Sequence, residues 1–292
     1  MSKKTVLVSG ASGFLGKQLI KQLIESKNYY VVGLTSRPDA LINTFESRSD
    51  FTVLNVNNWS EKIEKDLDIL INCAFPRSSD PRQLAIGLDF TEKLIKDAIN
   101  FNIHSIINIS SQSVYSQKDK SSPDETADVA PESLYGMAKY AAEKLVASLC
   151  EGSSNTVNYS NIRLASLTGI ELEARMTNKF VKRALNGEKI TVNGRGQKVS
   201  YLEVRDAASA LLSMLNKDSS TWENVYNLGN YRYCSVLEIA EEVNNVAKKY
   251  NIPEIEIDLK EGQDDFNNLL NSSLFYEDFD WKPYYAIGLM IE

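Results

Sequence analysis

The sequence is poor in the residues that bind transition metals and form disulfides. It has one histidine, His104, and three cysteines, Cys73, Cys150 and Cys234, among 292 residues. The cysteines are widely spaced and odd in number, so they provide neither a metal-type spacing nor a disulfide framework. We therefore expect no metal site, and a Ser–His–Asp hydrolase would have to use His104 alone.

Basic residues are also fewer than acidic ones. The chain has 39 acidic and 32 basic residues, a net charge of −7. Nucleic-acid binding depends on basic residues that neutralise phosphates, so nucleic acid is not expected as a partner. The apolar run after the basic residues 1–4 is interrupted at 9–13, unlike the apolar core of a signal peptide. The sequence predicts a cytoplasmic protein that does not bind membranes.

Short β-branched runs alternate with segments of helical period over the first 164 residues. We expect strands over 5–8, 30–34, 51–54, 69–71, 106–109 and 157–164, and helices over 14–24, 83–100 and 133–150. This alternation is typical of βαβ units. It predicts the α/β class, with a Rossmann-like, doubly wound parallel sheet covered by helices on both faces.

The alternation loosens after about residue 168. There we expect helices over 176–186, 204–216 and 236–250, and strands over 199–202, 225–228 and 255–258. The pattern indicates a smaller C-terminal region that completes the sheet and adds elements of its own.

A glycine-rich segment separates the first expected strand from the first expected helix. Gly10, Gly13 and Gly16 follow the spacing G-x-x-G-x-x-G, whereas the usual dinucleotide fingerprint is G-x-G-x-x-G. Glycine lets a turn pass close to a phosphate, and the N–H groups that open a helix point at it. Glycines also serve ordinary turns, but the position at the first βα unit favours a pyrophosphate site.

The end of the second strand informs the choice of cofactor. NAD-binding enzymes place an acid about 20 residues beyond the glycine loop, where it accepts hydrogen bonds from the ribose. Residues 34–38 contain no acid but do contain Arg37, which suits a 2′-phosphate. The alternative is that Arg37 is an exposed turn residue before a proline. We expect NADP as the cofactor, with NAD as the alternative.

Further motifs follow in a fixed order along the chain: G-A-S-G-F-L-G at 10–16, N-C-A at 72–74, I-S-S-Q-S-V-Y at 109–115, P-E-S-L-Y-G-M-A-K at 131–139, Y-N-L-G at 226–229 and W-K-P at 281–283. With these motifs the chain resembles the extended short-chain dehydrogenase/reductases of the NAD(P)-dependent epimerase/dehydratase family, which act mostly on nucleotide sugars. The resemblance implies an NAD(P)-binding Rossmann domain over 1–167 and 199–230, and a substrate-binding region over 168–198 and 231–292.

The motif Tyr-x-x-x-Lys occurs twice, as Tyr135 with Lys139 and as Tyr140 with Lys144. Both pairs cannot face one site, because five residues rotate a helical side chain by roughly 140°. The resemblance selects Tyr135 and Lys139 as catalytic residues, together with Ser111. Tyr140 and Lys144 are then a surface or packing pair.

The chemistry explains these residue types. Reduction of a ketone leaves an alkoxide that needs a proton, and a phenol with a pKa near 10 is a poor donor at neutral pH. A lysine one turn away should lower that pKa, and Ser111 should hold the substrate oxygen. Ser113 is a competing substrate contact.

The resemblance also implies which residues contact the cofactor: Gly10, Ser12, Gly13, Phe14, Leu15, Gly16, Arg37, Asn55, Val56, Cys73, Ala74, Phe75, Ile109, Tyr135, Lys139, Leu164 and Ser166.

The sequence departs from the family pattern at substrate-binding positions. Gln112 and Ser113 stand where dehydratases carry Asp-Glu, so a dehydratase is not expected. Lys198 is the expected substrate cation, with Arg175, Lys179 and Arg183 as alternatives. The simpler interpretation of a charge on the helix expected over 176–186 is a solvated helix face.

Together, these observations predict an NADP-dependent oxidoreductase that reduces a keto group of a nucleotide sugar of the 4-keto-6-deoxy type. Two alternatives remain open: a nucleotide-sugar epimerase with tightly bound NAD, and a non-catalytic dinucleotide-binding protein. A homodimer is compatible with the sequence but not required by it.

Overall fold

The computed structural model describes residues 3–45, 48–64, 66–116, 118, 121–194, 197–262 and 267–292. The strands in chain order are β1 (Lys4–Ser9), β2 (Tyr29–Thr35), β3 (Phe51–Asn55), β4 (Ile69–Asn72), β5 (Ser105–Ile109), β6 (Asn158–Leu164), β7 (Ser166–Thr168), β8 (Ile190–Asn193), β9 (Lys198–Val199), β10 (Tyr201–Glu203), β11 (Val225–Leu228), β12 (Cys234–Ser235), β13 (Ile257–Lys260) and β14 (Asn267–Asn268). The helices are α1 (Phe14–Ser26), α2 (Pro38–Ile42), α3 (Trp59–Lys62), α4 (Pro81–Asn100), α5 (Leu134–Glu151), α6 (Met176–Leu185), α7 (Val204–Leu215), α8 (Val236–Lys249), α9 (Ser273–Phe279) and α10 (Ile287–Ile291).

Seven parallel strands form the main sheet, in the order β11-β6-β5-β4-β1-β2-β3. The strand order reverses between β1 and β4, so the carboxyl ends of these two strands flank the crevice where α/β proteins bind ligands. The doubly wound α/β fold expected from the sequence is confirmed.

The sheet is buried on both faces. Val6 and Val8 of β1 belong to the core beneath α1 and α7, whereas Leu7 between them faces the core beneath α4 and α5. This double burial explains why the strands are continuous apolar runs. None of the helices in the described ranges is both long and apolar enough to cross a lipid bilayer.

Helix α4 begins two residues earlier than the expected start at residue 83. The Asp80 carboxylate accepts a hydrogen bond of 2.9 Å from the backbone N–H of Arg82, and Pro81 occupies the first helical position. Both are strong start signals for a helix, so this boundary could have been predicted.

The smaller region has its own core. Side chains of α6 and α8 pack with those of β8 and β9, including Phe180, Ile190, Val199 and Ile239. Two small sheets hold this region together, with orders β12-β9-β14 and β13-β8.

The strand expected over 199–202 is divided in the structure. Ser200 lies between β9 and β10, and its hydroxyl donates a hydrogen bond of 2.6 Å to the Asn230 carbonyl. On either side of Ser200 the chain joins different sheets, since β9 pairs with β12 and β14 whereas β10 pairs with β7. The prediction of one continuous strand is therefore wrong.

The strand expected over 255–258 lies two residues later, as β13. The side chain of Asn244 accepts a hydrogen bond of 3.1 Å from the N–H of Ile255 and donates one of 3.0 Å to its carbonyl. Both backbone groups of Ile255 are thereby occupied, so pairing with β8 begins only at Ile257.

Helix α9 lies within residues 231–292, which were expected to form part of the substrate-binding region, but it packs against the main sheet. Phe275 and Phe279 are buried in the core of the main sheet, where both rings contact Tyr226 of β11. Part of the C-terminal segment thus stabilises the larger unit, because these two aromatic rings fill space beside β11.

Candidate active site

The glycine loop connects β1 to α1 at the carboxyl edge of the sheet. Gly10 has φ +64, in the left-handed region that favours glycine. A Cβ atom at Gly10 would lie 2.9 Å from the backbone nitrogen of Ala74, and one at Gly16 would collide with the Gly10 carbonyl. The loop is therefore packed backbone against backbone, and only glycine fits.

The N-terminus of α1 has no side-chain cap, so its backbone N–H groups can contact an anion. Gly13 precedes the helix without a side-chain cap, and no acidic residue occurs in the first turn. The open N–H groups and the positive end of the helix dipole suit a phosphate. Leu15 is buried in the core, so only its backbone can contribute there, while the Ser12 hydroxyl is 2.7 Å from that of Thr35.

Arg37 and Val56 follow the neighbouring strands β2 and β3, and Asn55 is the last residue of β3. Arg37 is exposed, and its backbone N–H donates to the Thr35 hydroxyl at 3.1 Å. The Asn55 side-chain oxygen accepts a 2.9 Å hydrogen bond from the N–H of Asn57. The exposed guanidinium of Arg37 is compatible both with a phosphate contact and with an ordinary turn residue.

Cys73, Ala74 and Phe75 follow β4 and lie opposite the glycine loop. The Ala74 N–H donates to the Ser9 hydroxyl at 3.3 Å. Burial raises the pKa of the Cys73 thiol to about 12, partly offset by the positive charge of Lys139. The thiol is thus neutral near pH 7, in keeping with a small apolar lining residue.

A row of hydrogen-bonded side chains, not predicted from the sequence, crosses the buried strands next to this loop. The Ser9 hydroxyl donates to Asn72 at 2.6 Å, Asn72 donates to Asn108 at 3.0 Å, and Asn108 donates to Asn161 at 2.8 Å. The available signal was an asparagine at a paired position in each of three buried strands.

Lys139 lies on α5 and is 3% exposed. Its ammonium donates to the carbonyl of Ile109 at the end of β5 and lies 4.4 Å from the centre of the Phe75 ring. Burial lowers the pKa of Lys139 to about 8, while the carboxylate of Glu143 and the thiol of Cys73 oppose that shift.

Tyr135 lies one turn before Lys139, with its ring edge-on to Phe75 at 6.3 Å between centroids. Burial raises the pKa of its phenol, whereas the positive charge of Arg77 and a hydrogen bond with Ser111 lower it. Lysine was expected to be the cation that lowers this pKa. Instead, Arg77 is the cation that lowers this pKa, and burial outweighs its effect, so the pKa of Tyr135 is raised. The Lys139 ammonium donates to the Ile109 carbonyl.

Ser111 caps a short 3₁₀ turn after β5. Its oxygen accepts a 3.1 Å hydrogen bond from the N–H of Ser113 and donates to the Ser113 hydroxyl at 3.2 Å. Both serines are therefore near Tyr135, and the competition between them as substrate contacts is not resolved by position.

Ser166 also reaches this site, through an amide cluster. The side chains of Gln112 and Asn268 donate to the Ser166 hydroxyl at 3.3 Å and 3.0 Å, and Gln112 also donates to Asn268. Asn268 comes from the distant strand β14, and no local pattern in the sequence indicated it.

Three further predicted residues have other surroundings. The exposed Lys198 has its ammonium 5.0 Å from the centre of the Tyr233 ring. Leu164 is 7% exposed within the core. Phe14 lies beside Gly169, where a Cβ atom would come within 2.8 Å of its ring.

The second Tyr-x-x-x-Lys pair behaves as its simpler interpretation expects. Lys144 is exposed and lies 5.1 Å from the centre of the Tyr140 ring, and the partly buried Tyr140 packs against the core of the main sheet. Within the described residues, no group of three histidine, cysteine, aspartate or glutamate side chains could hold a metal ion.

The family model described as "NAD dependent epimerase/dehydratase family" matches residues 6–229. A putative UDP-glucose 4-epimerase from Methanocaldococcus jannaschii is 25% identical over 256 residues, which cover 82% of this chain and 81% of that protein. The bifunctional polymyxin resistance protein ArnA from Wigglesworthia glossinidia brevipalpis is 24% identical over 86% of this chain. The chain spans only 43% of the length of that relative and 40% of a trifunctional plant relative.

Solved structures give the same result for the fold. The crystal structure of UDP-glucuronic acid 4-epimerase from Bacillus cereus, in complex with UDP-glucuronic acid and NAD, superimposes with a TM-score of 0.83 at 20% identity. The match covers 98% of this chain and 96% of that one. Because the family model spans most of the sequence and the parallel sheet agrees, this chain belongs to the NAD-dependent epimerase/dehydratase family.

Proposed function

We propose that this protein is an NADP-dependent oxidoreductase that reduces a keto group on the sugar ring of a nucleotide sugar. The observation that carries the proposal is the convergence of Ser111, Tyr135 and Lys139 beside Phe75, at the sheet edge that also carries the glycine loop. The sequence further predicts that this nucleotide sugar is of the 4-keto-6-deoxy type.

The residues at this edge fit a dinucleotide. The glycine loop has no room for a Cβ atom at Gly10, and the α1 N-terminus is open to a pyrophosphate. Arg37 would hold a 2′-phosphate, Asn55 would accept a hydrogen bond from adenine, and Lys139 would contact the nicotinamide ribose. When bound, the cofactor supplies the hydride.

The protein supplies the proton. Burial raises the pKa of Tyr135, so its phenol carries a proton at neutral pH. The charge of Arg77 and the hydrogen bond with Ser111 act in the opposite direction and favour donation of that proton from Oη to the substrate oxygen. Ser111 holds that oxygen through its hydroxyl. After donation the phenolate is stabilised by the nearby charge of Arg77 and regains a proton from solvent.

A nucleotide-sugar epimerase is the second candidate, favoured by the relatives named as 4-epimerases. An epimerase returns the hydride to the same sugar, so it must retain its cofactor. A reductase consumes NADPH and exchanges the cofactor at every turnover. Arg37, in place of an acid at the end of β2, supports the reductase.

Cofactor content and cofactor consumption separate the two. The purified protein is denatured and assayed for released dinucleotide, and the absorbance of reduced nicotinamide is followed with 4-keto nucleotide sugars. We expect little bound dinucleotide and one NADPH consumed per product. Stoichiometric bound NAD, with epimerisation and no NADPH loss, would establish the epimerase. Tight dinucleotide binding without turnover would favour a binding protein.

A further inference from the structure

Three side chains from distant parts of the chain form a closed ring of hydrogen bonds beside the candidate active site. Gln112 lies on the 3₁₀ turn that Ser111 caps, Ser166 begins β7, and Asn268 ends β14. Gln112 and Asn268 donate to the Ser166 hydroxyl at 3.3 Å and 3.0 Å, and Gln112 donates to Asn268 as well. Gln112 and Ser166 are only half-buried, so part of the ring is accessible.

The Ser166 hydroxyl can only donate in this arrangement. A hydroxyl has one proton and two lone pairs, and the two amide N–H groups occupy both lone pairs of Ser166. Among the described residues, its own proton is given to no acceptor. That proton is therefore available to a ligand that offers an oxygen lone pair.

The opposite orientation of the two amides is less favourable. If both were reversed, the carbonyl oxygens of Gln112 and Asn268 would face the single proton of Ser166, and one of them would lie against a lone pair. The orientation in the structure has its own cost, because the enclosed Oε1 of Gln112 has no hydrogen-bond partner. An unsatisfied buried acceptor is destabilising, so the ring is better explained by its effect on Ser166 than by stability.

The surroundings of the ring indicate the substrate as the source of that oxygen. Ser111 and Ser113, the candidate contacts for the substrate oxygen, lie on either side of Gln112 in the chain. Asn268 belongs to a small sheet of the C-terminal region, where the substrate is expected to bind. Ser166 lies between these two segments. It was expected at the cofactor, so the test has to separate the two ligands.

We propose that Gln112 and Asn268 are positioning residues that fix the Ser166 hydroxyl as a hydrogen-bond donor to an oxygen of the sugar in a nucleotide sugar. The inference rests on the proposed function for the class of substrate, but not for the reduction itself. Ser166 then contributes to specificity. It favours a carbonyl, ether or hydroxyl oxygen on the sugar and disfavours a group that can only donate, such as the ammonium of an amino sugar.

Reversal of one donor tests the proposal. Gln112→Glu and Asn268→Asp each replace an amide N–H that faces Ser166 with an acceptor of nearly the same shape, so the Ser166 proton should turn toward the new carboxylate. Calorimetry with UDP-glucose and dTDP-glucose measures sugar-nucleotide binding, and UDP, dTDP and NADPH are the reference ligands. We expect both variants and Ser166→Ala to weaken sugar-nucleotide binding by about 5- to 30-fold and the reference ligands by less than about threefold.

A double variant shows whether Gln112 acts through Ser166. In Ser166→Ala no hydroxyl is left to turn, so adding Gln112→Glu should cause no further loss. A further loss equal to that of Gln112→Glu alone would assign the effect to the new charge and overturn the proposal. Gln83→Glu places the same charge on the exposed face of α4 and should leave all affinities unchanged. Urea denaturation checks that each variant is folded, and Asn268→Asp gives the same test if Gln112→Glu is not.

Three outcomes of the binding measurements also overturn the inference. The first is unchanged sugar-nucleotide affinity in Ser166→Ala. The second is an equal loss of NADPH or free nucleotide, which would place Ser166 at the cofactor or at the diphosphate. The third is a wild-type protein that binds neither sugar nucleotide. Sugar-nucleotide binding with the expected order of variants, but without consumption of NADPH by any 4-keto nucleotide sugar, would overturn the proposed reductase and leave this inference intact.

Discussion

Arg163 of β6 and Glu143 of α5 form an ion pair enclosed by the protein. Nη2 of Arg163 lies 2.9 Å from Oε2 of Glu143, and the two side chains are 6% and 4% exposed. The hydroxyl of Ser110 donates to the same carboxylate, and Tyr115 accepts a 2.8 Å hydrogen bond from Arg163. Glu143 lies one turn beyond Lys139, so the pair joins α5 to the sheet.

Removal of Glu143 should destabilise the protein strongly. Glu143→Ala leaves the Arg163 guanidinium buried without its counter-charge, and such a loss costs about 3–5 kcal/mol. The free energy of unfolding, measured by urea denaturation, should fall by that amount. Glu92→Ala is the control, because Glu92 pairs with Lys96 on the exposed face of α4 and should change stability by less than about 1 kcal/mol. Equal effects would show that the buried pair is not a stabilising link.

Replacement of the Tyr135 hydroxyl should remove most turnover and leave the fold intact. Tyr135→Phe loses the proton donor, and general acid catalysis contributes about 10²- to 10⁴-fold. NADPH oxidation in the steady state measures the loss, and fluorescence titration checks that the cofactor still binds. Tyr140→Phe is the matched control on the same helix, where the ring contacts only the Lys144 ammonium among its described polar partners. A reversal of the two results would show that the wrong tyrosine has been assigned.

Truncation of Arg37 should weaken NADPH selectively. Arg37→Ala removes an exposed guanidinium at the end of β2, and the lost contact with a 2′-phosphate should cost about 1–3 kcal/mol. NADH lacks that phosphate, so its affinity should be nearly unchanged. Lys21→Ala removes an exposed positive charge from α1. It controls for the general electrostatic effect of losing one positive charge. If wild-type protein binds both cofactors equally, the choice of NADP is wrong.

Stability should depend on alkaline pH through Lys139. The pKa of Lys139 is about 8 in the folded protein, against roughly 10.4 in an unfolded chain. Between these values the unfolded state holds more protons, so the free energy of unfolding rises with pH. The contribution of Lys139 should increase by about 3 kcal/mol across this window.

The comparison with Lys139→Met isolates this contribution. Burial raises the pKa of Cys73 to about 12, so the thiol has the opposite effect and lowers stability at alkaline pH. That effect is present in both proteins and largely cancels in their difference. Urea denaturation at several pH values should show that the free energy of unfolding of wild type rises relative to that of the variant from about pH 8 upward. A difference independent of pH would mean that Lys139 titrates normally.

The parallel sheet could be predicted from the sequence because it depends on local patterns, and the proposed site residues come from equally local motifs. Apolar runs, glycine spacing and the 131–139 motif are all contained in short segments. Asn268 was missed because it reaches Gln112 only through the packing of β14, more than 150 residues away in the chain. The division at Ser200 was missed for a similar reason, since its cause is a hydrogen bond to Asn230.

The hydrogen-bonded row from Ser9 to Asn161 has one direction. Each amide accepts from the strand on one side and donates to the strand on the other, and Asn161 ends the row at the Asn224 carbonyl, 3.5 Å away. An aspartate at Asn108 would have no N–H to pass on, so the order of donors would break at that strand. The row therefore couples side-chain orientations across the sheet. The orientation of the Asn161 amide on β6 is set together with that of the Ser9 hydroxyl beside the glycine loop.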